Sequence, residues 1–317
     1  MTLVTAAPTR RPVRSPVPSA VAISLTSVVS LGVVALFLVV YAVGFSAAQE
    51  QRGQHQLYAQ FRGLLDPDSP IAPATGGTIA PHTPIAMINA GAAGMHRLIV
   101  VEGTSSADLL DGPGHLRDTP LPGQPGDSVL VGKDLTSGGP FRHITSFAPG
   151  DALTITTGQG AFTYHVLDVR RKGDPIHPVA NGSAELTLIS ATGSGLLGQI
   201  APSRLVYVDA LLQGAPVQPS GPHPEAVPAA ELPGHSDPGA WPFVLLWVQA
   251  LLIAGVGTAV AAWMWSRTDG GADGGGGVGV LDSRHGMWRA WLLGAPVIFG
   301  VLWGLATECS RLLPNIL

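Results

Sequence analysis

Three long apolar stretches, with a run of short alternating segments between the first two, set the hydrophobic pattern of this chain. No charged residue occurs from Ser15 to Ala48, and Val21 to Phe45 is almost wholly apolar. A helix of roughly 20 such residues crosses a bilayer, whereas the core of a signal peptide is only about 7–15 residues long. The pattern predicts a transmembrane helix at residues 20–46, behind a cytoplasmic tail, residues 1–19, that carries Arg10, Arg11 and Arg14. Arginines gather on the cytoplasmic side of a span. Further spans are expected at residues 241–265 and 289–307, followed by a tail at 308–317.

Residues 49–84 read as a juxtamembrane helix and a linker. Leu57, Phe61, Leu64 and Leu65 recur at helical spacing, a single apolar stripe that either packs on its own domain or meets a partner. Residues 85–213 switch to short strand-like runs bounded by turn residues: His96–Glu102, Ser128–Gly132, Ala152–Thr157, Phe162–Arg170, Leu186–Thr192 and Arg204–Leu211. Gly158-Gln159-Gly160 joins two of them as a hairpin. The fold class expected is all-β, a small barrel or sandwich, plus three transmembrane α-helices. Residues 214–240 are proline-rich, and such a segment predicts an extended, semi-rigid spacer.

Alternation of the spans puts the β domain outside and the loop at residues 266–288 inside, in agreement with Arg267 and Arg284. The glycine run Gly274–Gly277 in that loop lacks a following Gly-Lys-Ser/Thr, so it reads as a flexible connection rather than a phosphate loop. All seven tryptophans (Trp241, Trp247, Trp263, Trp265, Trp288, Trp291 and Trp303) lie near the second and third spans, where an interfacial aromatic belt is expected.

Composition sharpens this picture. Of 317 residues, 46% are hydrophobic and 12% charged, against about 25% charged in an ordinary soluble protein. The deficit fits several membrane helices. A formal net charge of −4 leaves no footprint for nucleic acid. Cys309 is the one cysteine, so neither an internal disulfide nor a Cys-based metal cluster can form. The sequence gives no cofactor or metal motif.

The β domain carries candidate chemistry at Glu185–Gly193, E-L-T-L-I-S-A-T-G, an apolar, β-branched run that stops at a glycine. Leu186-Thr187-Leu188-Ile189-Ser190 resembles the strand that leads to the catalytic cysteine of sortases, the cell-wall transpeptidases of Gram-positive bacteria. The cysteine position is Ala191. Further stretches resemble the actinobacterial class E sortases in particular: Val101-Glu102-Gly103 with Leu109–Thr119, then Pro122-Gly123 and Gly126–Val129. Pro140-Phe141, Gly150-Asp151, Tyr164 with Val166, and Ser203-Arg204-Leu205-Val206 complete the series. Where the family has Gly-His-Arg with a catalytic histidine, this chain has Gly132-Lys133-Asp134. The resemblance implies a sortase β-barrel over residues 85–213, with degenerate catalytic positions Lys133, Ala191 and Arg204.

Sortases, so the resemblance implies, attack a Thr–Gly type peptide bond with a thiolate while an arginine steadies the oxyanion and a histidine moves protons. Alanine has no nucleophilic atom. Lysine, with a usual pKa near 10.4 against about 6.5 for histidine, is a poor proton shuttle unless desolvated. The groove candidates for replacing the lost groups are Ser190, Thr192, Ser194 and His143. Strand alternation turns Ser190 and Thr192 away from the face of Ala191. His96, His115, His165 and His177 read as surface or loop histidines, and Arg204 as either a retained ligand-binding group or the partner of Asp134 or Asp209.

Three readings follow. The first is a membrane-anchored, sortase-like cell-envelope protein without catalysis, which binds a peptide or partner protein in the degenerate groove. The second is an active class E-like transpeptidase or hydrolase with a non-cysteine nucleophile. The third is a structural subunit of a membrane complex.

Overall fold

The computed structural model describes residues 20–66, 68, 74–176, 178, 180–193, 204–224, 226–268 and 283–317. The expected cytoplasmic tail (residues 1–19), most of the glycine-rich loop, His177, Ser194 and Ser203 lie outside them. The chain divides into two units, Met1–Leu38 and Val39–Leu317. Helix α1, Ala20–Val40, accounts for the described part of the first.

The second unit is built around a closed eight-stranded barrel: β1 (Pro84–Ala90), β2 (Met95–Glu102), β3 (Gly114–His115), β4 (Gly126–Val131), β5 (Ala152–Thr157), β6 (Gly160–Arg171), β7 (Ala184–Thr192) and β8 (Arg204–Leu212). Its order is β1-β2-β3-β4-β7-β8-β6-β5, and the first and last strands pair to close it. β2–β3 and β4–β7 are parallel, and the other pairs antiparallel. The expected hairpin is present, with Thr157 paired to Gly160. The two-residue β3 bridges only the ends of β2 and β4, and alternation divides each strand into an inner and an outer face. On β7 and β8 the inner set, Leu186, Leu188, Val206, Val208 and Ala210, joins Ile88, Leu130, Phe141, Ile155 and Tyr164 in one buried core.

Three helices complete the second unit: α2 (Ser46–Leu64), α3 (Trp241–Thr268) and α4 (Ser283–Arg311). Leu57 and Phe61 of α2 bury against Ile99 and Val101, on the outer face of β2. The apolar stripe therefore packs on its own domain. Gln54 anchors it further: its amide accepts from the Ile99 N–H at 2.7 Å and donates to the Ile99 and Asp111 carbonyls at 3.0 and 2.7 Å. α3 and α4 pack closely. A Cβ at Gly304 would come within 2.5 Å of the Trp247 ring, the small-residue approach common between membrane helices.

One expectation needs correction. Among the described residues, one helical stretch, Pro238–Ala261, is long and apolar enough to cross a membrane, with a shorter apolar stretch at Ser30–Val40. Three spans are therefore not supported. The proline-rich segment, expected as an extended, semi-rigid spacer, is also tied to the barrel. Val217 N–H donates to the Gly123 carbonyl, Ser220 N–H to the Thr75 carbonyl, and Glu231 pairs with Arg117. An extended chain makes no internal hydrogen bonds, so its backbone groups are free to pair along the barrel.

Candidate functional site

The outer face of β4, β7 and β8 forms a floor whose two ends differ chemically. In the β4–β7 register Asp127 sits against Glu185, Val129 against Thr187 and Val131 against Ile189; in the β7–β8 register Thr187 sits against Asp209, Ile189 against Tyr207 and Ala191 against Leu205. At the polar end the Thr187 hydroxyl donates to Asp127 Oδ1 at 3.0 Å and to Asp209 Oδ1 at 3.2 Å. Arg170 forms an ion pair with Asp209, and its guanidinium lies 4.4 Å from the centroid of the Tyr207 ring. Burial, followed by the charges of Asp209 and Glu185, pushes the Asp127 carboxyl up to about 6.

The other end is apolar. Ala191 is 2% exposed and clusters with Leu109, Val131, Ile189 and Ile316, flanked by Val129, Leu205 and Tyr207. β4 ends with Val131 opposite Ile189, the Gly132 N–H donates to the Ile189 carbonyl at 3.0 Å, and Lys133 follows directly in sequence. Lys133 is 1% exposed. Burial alone pushes it down to about 8. Desolvation disfavours the charged form of an amine, which is the physical cause.

Not every candidate joins this face. Ser190 is wholly buried and its hydroxyl donates to the Gly132 carbonyl at 2.8 Å, in register with the inner residue Val206. Thr192 pairs with Arg204 at the strand end, and Arg204 is exposed. It shares its parity with Val206 rather than Leu205, so alternation sets it apart from the Ala191 side. Arg204 makes no ion pair among the described residues, and Asp209 is taken by Arg170. His143 is exposed, on the loop after Phe141. His115 is not a surface histidine: it is 1% exposed, with Nδ1 2.9 Å from Glu102 Oε2 and Nε2 3.0 Å from the Pro120 carbonyl.

One part of the site carries no signal in the sequence. Past α4, Leu313–Leu317 folds over the apolar end of the floor. Leu317 N–H donates to the Pro314 carbonyl at 3.0 Å, which makes a turn, and Ile316 covers Ala191. The segment is held from both sides: Asp134 N–H donates to the Ile316 carbonyl at 3.1 Å, and the Ser106 hydroxyl to the Leu313 carbonyl at 2.9 Å.

The order of the strands, and the face that β4, β7 and β8 present, can now be set beside known proteins. Residues 89–208 match the family model described as the sortase domain. The matched stretch takes in most of the barrel. Sortase D of Bacillus subtilis is 36% identical over 113 residues, covering 35% of this chain and 56% of its own length, so the match spans about half of that relative. Among solved structures, sortase E from Streptomyces avermitilis aligns at 24% identity with a TM-score of 0.36, over 48% of this chain and 99% of that one. A Clostridium perfringens sortase D5 transpeptidase aligns at 22% identity and a TM-score of 0.37, over 43% and 83%.

Proposed function

We propose that this chain is a membrane-anchored, sortase-like protein of the cell envelope, related to the class E type, that no longer transfers peptides and instead holds a peptide or partner on the Ala191 face. The observation that carries this reading is the surround of Ala191. Leu109, Val131, Ile189 and Ile316 pack there, none with a nucleophilic atom, and the neighbouring Ser190 hydroxyl is turned inward to Gly132. An acyl-enzyme needs a nucleophile with a base in reach. Lys133 supplies a buried cation in place of the histidine, suited to a carboxylate-bearing ligand rather than to proton shuttling.

Anchoring rests on the apolar helix at Pro238–Ala261, with a shorter apolar stretch at Ser30–Val40; the arginines at residues 10–14, 267 and 284 favour an outward-facing barrel. The rival reading is catalysis by Ser194, which follows Gly193 in the sequence. The deciding experiment is intact-protein mass spectrometry after incubation of the purified full chain with a sorting-signal peptide that contains a Thr–Gly bond. The expected outcome is no mass increment and no cleaved peptide. A covalent acyl adduct, abolished by Ser194→Ala, would overturn the proposal.

A further inference from the structure

We infer that the Ala191 face is a peptide site with a resident ligand: the chain's own Leu313–Leu317 segment docks there in cis, and must leave before any other peptide can enter. This deepens the reading above by naming an occupant of the same face.

The segment is recognised as a ligand would be. Asn315 is fully buried and its side chain is saturated: Nδ2 donates to the Thr104 carbonyl at 2.7 Å and to the Leu232 carbonyl at 3.2 Å, while Oδ1 accepts from the Gly234 N–H at 2.8 Å. Its own N–H donates to the His235 carbonyl at 2.8 Å. Such a pocket of main-chain donors and acceptors reads an amide and rejects an apolar or charged side chain, because the unpaired groups would stay buried. Next to it, Ile316 fills an aliphatic seat made by Leu109, Val131, Ile189 and Ala191. Leu317 is then fixed by Thr136, whose N–H and hydroxyl both donate to its main-chain oxygen, at 3.0 and 2.5 Å. An amide pocket from Thr104 and residues 232–235, an aliphatic seat from Leu109 and strands β4 and β7, and a main-chain clamp at Thr136 lie in succession.

A second observation is a buried cation next to the closure. Lys133, next in sequence to the Asp134 amide that holds Ile316, is buried, and burial holds its amine below the usual lysine range. Burial of an ammonium opposes the closed arrangement, and opening would return it to water or offer it to an incoming carboxylate. The contacts holding the segment are therefore balanced against a cost located next to it. That is the arrangement of a displaceable plug rather than of a permanent core.

The test places a reporter under the plug. In the full chain, purified in detergent, Cys309→Ser removes the native thiol and Ala191→Cys introduces one beneath Ile316. Labelling by a water-soluble maleimide is expected to be slow, and to speed up at least tenfold when Asn315→Ala or Ile316→Asp is added, the change that about 1.4 kcal/mol of lost docking would give. Ile316→Val should keep the protection, which separates docking from general loosening. A synthetic peptide of residues 312–317 should restore protection to the Ile316→Asp chain. Two results would overturn docking of the segment altogether: rapid labelling with the natural segment in place, or rates indifferent to Asn315 and Ile316. Protection that rises with protein concentration would overturn docking in cis and assign the occupant to a second copy. None of these readouts depends on catalysis, so an acyl adduct in the earlier experiment would sink the loss of activity and leave this test standing.

Discussion

At the scale of single residues, Lys133 is the most exposed to test because its burial has a sign. Its amine is held at about 8 against a usual value of 10.5, so between those pH values the unfolded chain binds the proton that the folded chain has lost. Stability must then rise as pH climbs from about 8 to about 10.5, and the full penalty acts below 8. At 1.36 kcal/mol per pKa unit the penalty is on the order of 3 kcal/mol. Lys133→Met should raise stability at pH 7 and flatten the alkaline rise, read by denaturant unfolding in detergent at pH 7, 9 and 10.5. Asp127 makes the opposite case. Its carboxyl is raised to about 6 from 3.8, so its contribution worsens as pH rises through 4 to 6, and Asp127→Asn should remove that slope. The sequence named Lys133, Ala191 and Ser190 because a family motif runs through them. It gave no hint that Ala191 would lie under Ile316, since residues 191 and 316 are brought together by the fold alone.

At the scale of elements, the strands with β-branched alternation were legible, and two others were not. β5 was expected at its observed bounds, and β2, β4, β6, β7 and β8 within one or two residues. β1, Pro84–Ala90, is P-I-A-M-I-N-A, with alanines where β-branched residues would mark a strand. β3 is two residues long, Gly114–His115, too short to have a period, and is fixed by pairing on both sides. α2 shows how a helix is bound without being part of the barrel. Gln54 supplies one acceptor and two donations to β2 and its neighbouring loop. Gln54→Ala leaves the Ile99 N–H unpaired and should cost about 1–3 kcal/mol, seen as faster hydrogen exchange across α2 and β2. Between α3 and α4 the close approach at Gly304 has no room for a side chain. Gly304→Leu should therefore separate the two helices and lower the thermal midpoint, while the conservative Gly304→Ala does so less.

For the whole molecule, the barrel and the apolar helices pose separate questions. The proposed anchoring predicts that the full chain stays with the membrane after alkaline extraction. A chain recovered in the soluble fraction would remove the membrane from the account. The proposed outward barrel is checked with Cys309→Ser plus Lys172→Cys, on the exposed turn after β6. An impermeant maleimide should label intact cells, and labelling only after lysis would reverse the topology. The proline-rich segment belongs to this scale as well. Its hydrogen bonds to Gly123 and Thr75, and the Arg117–Glu231 pair, tie the region ahead of α3 to the barrel. The end of α4 is tied to the same segment, where Arg311 pairs with Asp237.

By itself the sequence determined the periods: where side chains alternate, where an apolar run is long, and where a thiol is absent from a strand that resembles a catalytic one. These are local properties, readable because a strand repeats every two residues and a helix every 3.6. The tertiary structure decided everything that depends on distance along the chain. It closed the barrel by pairing β1 with β5, drew the proline-rich segment onto the barrel, buried His115 against Glu102, and brought Asn315 and Ile316 back over Ala191. The reason is physical: buried hydrogen-bonding groups and apolar surface must find partners wherever the fold supplies them, and no local pattern records where that will be.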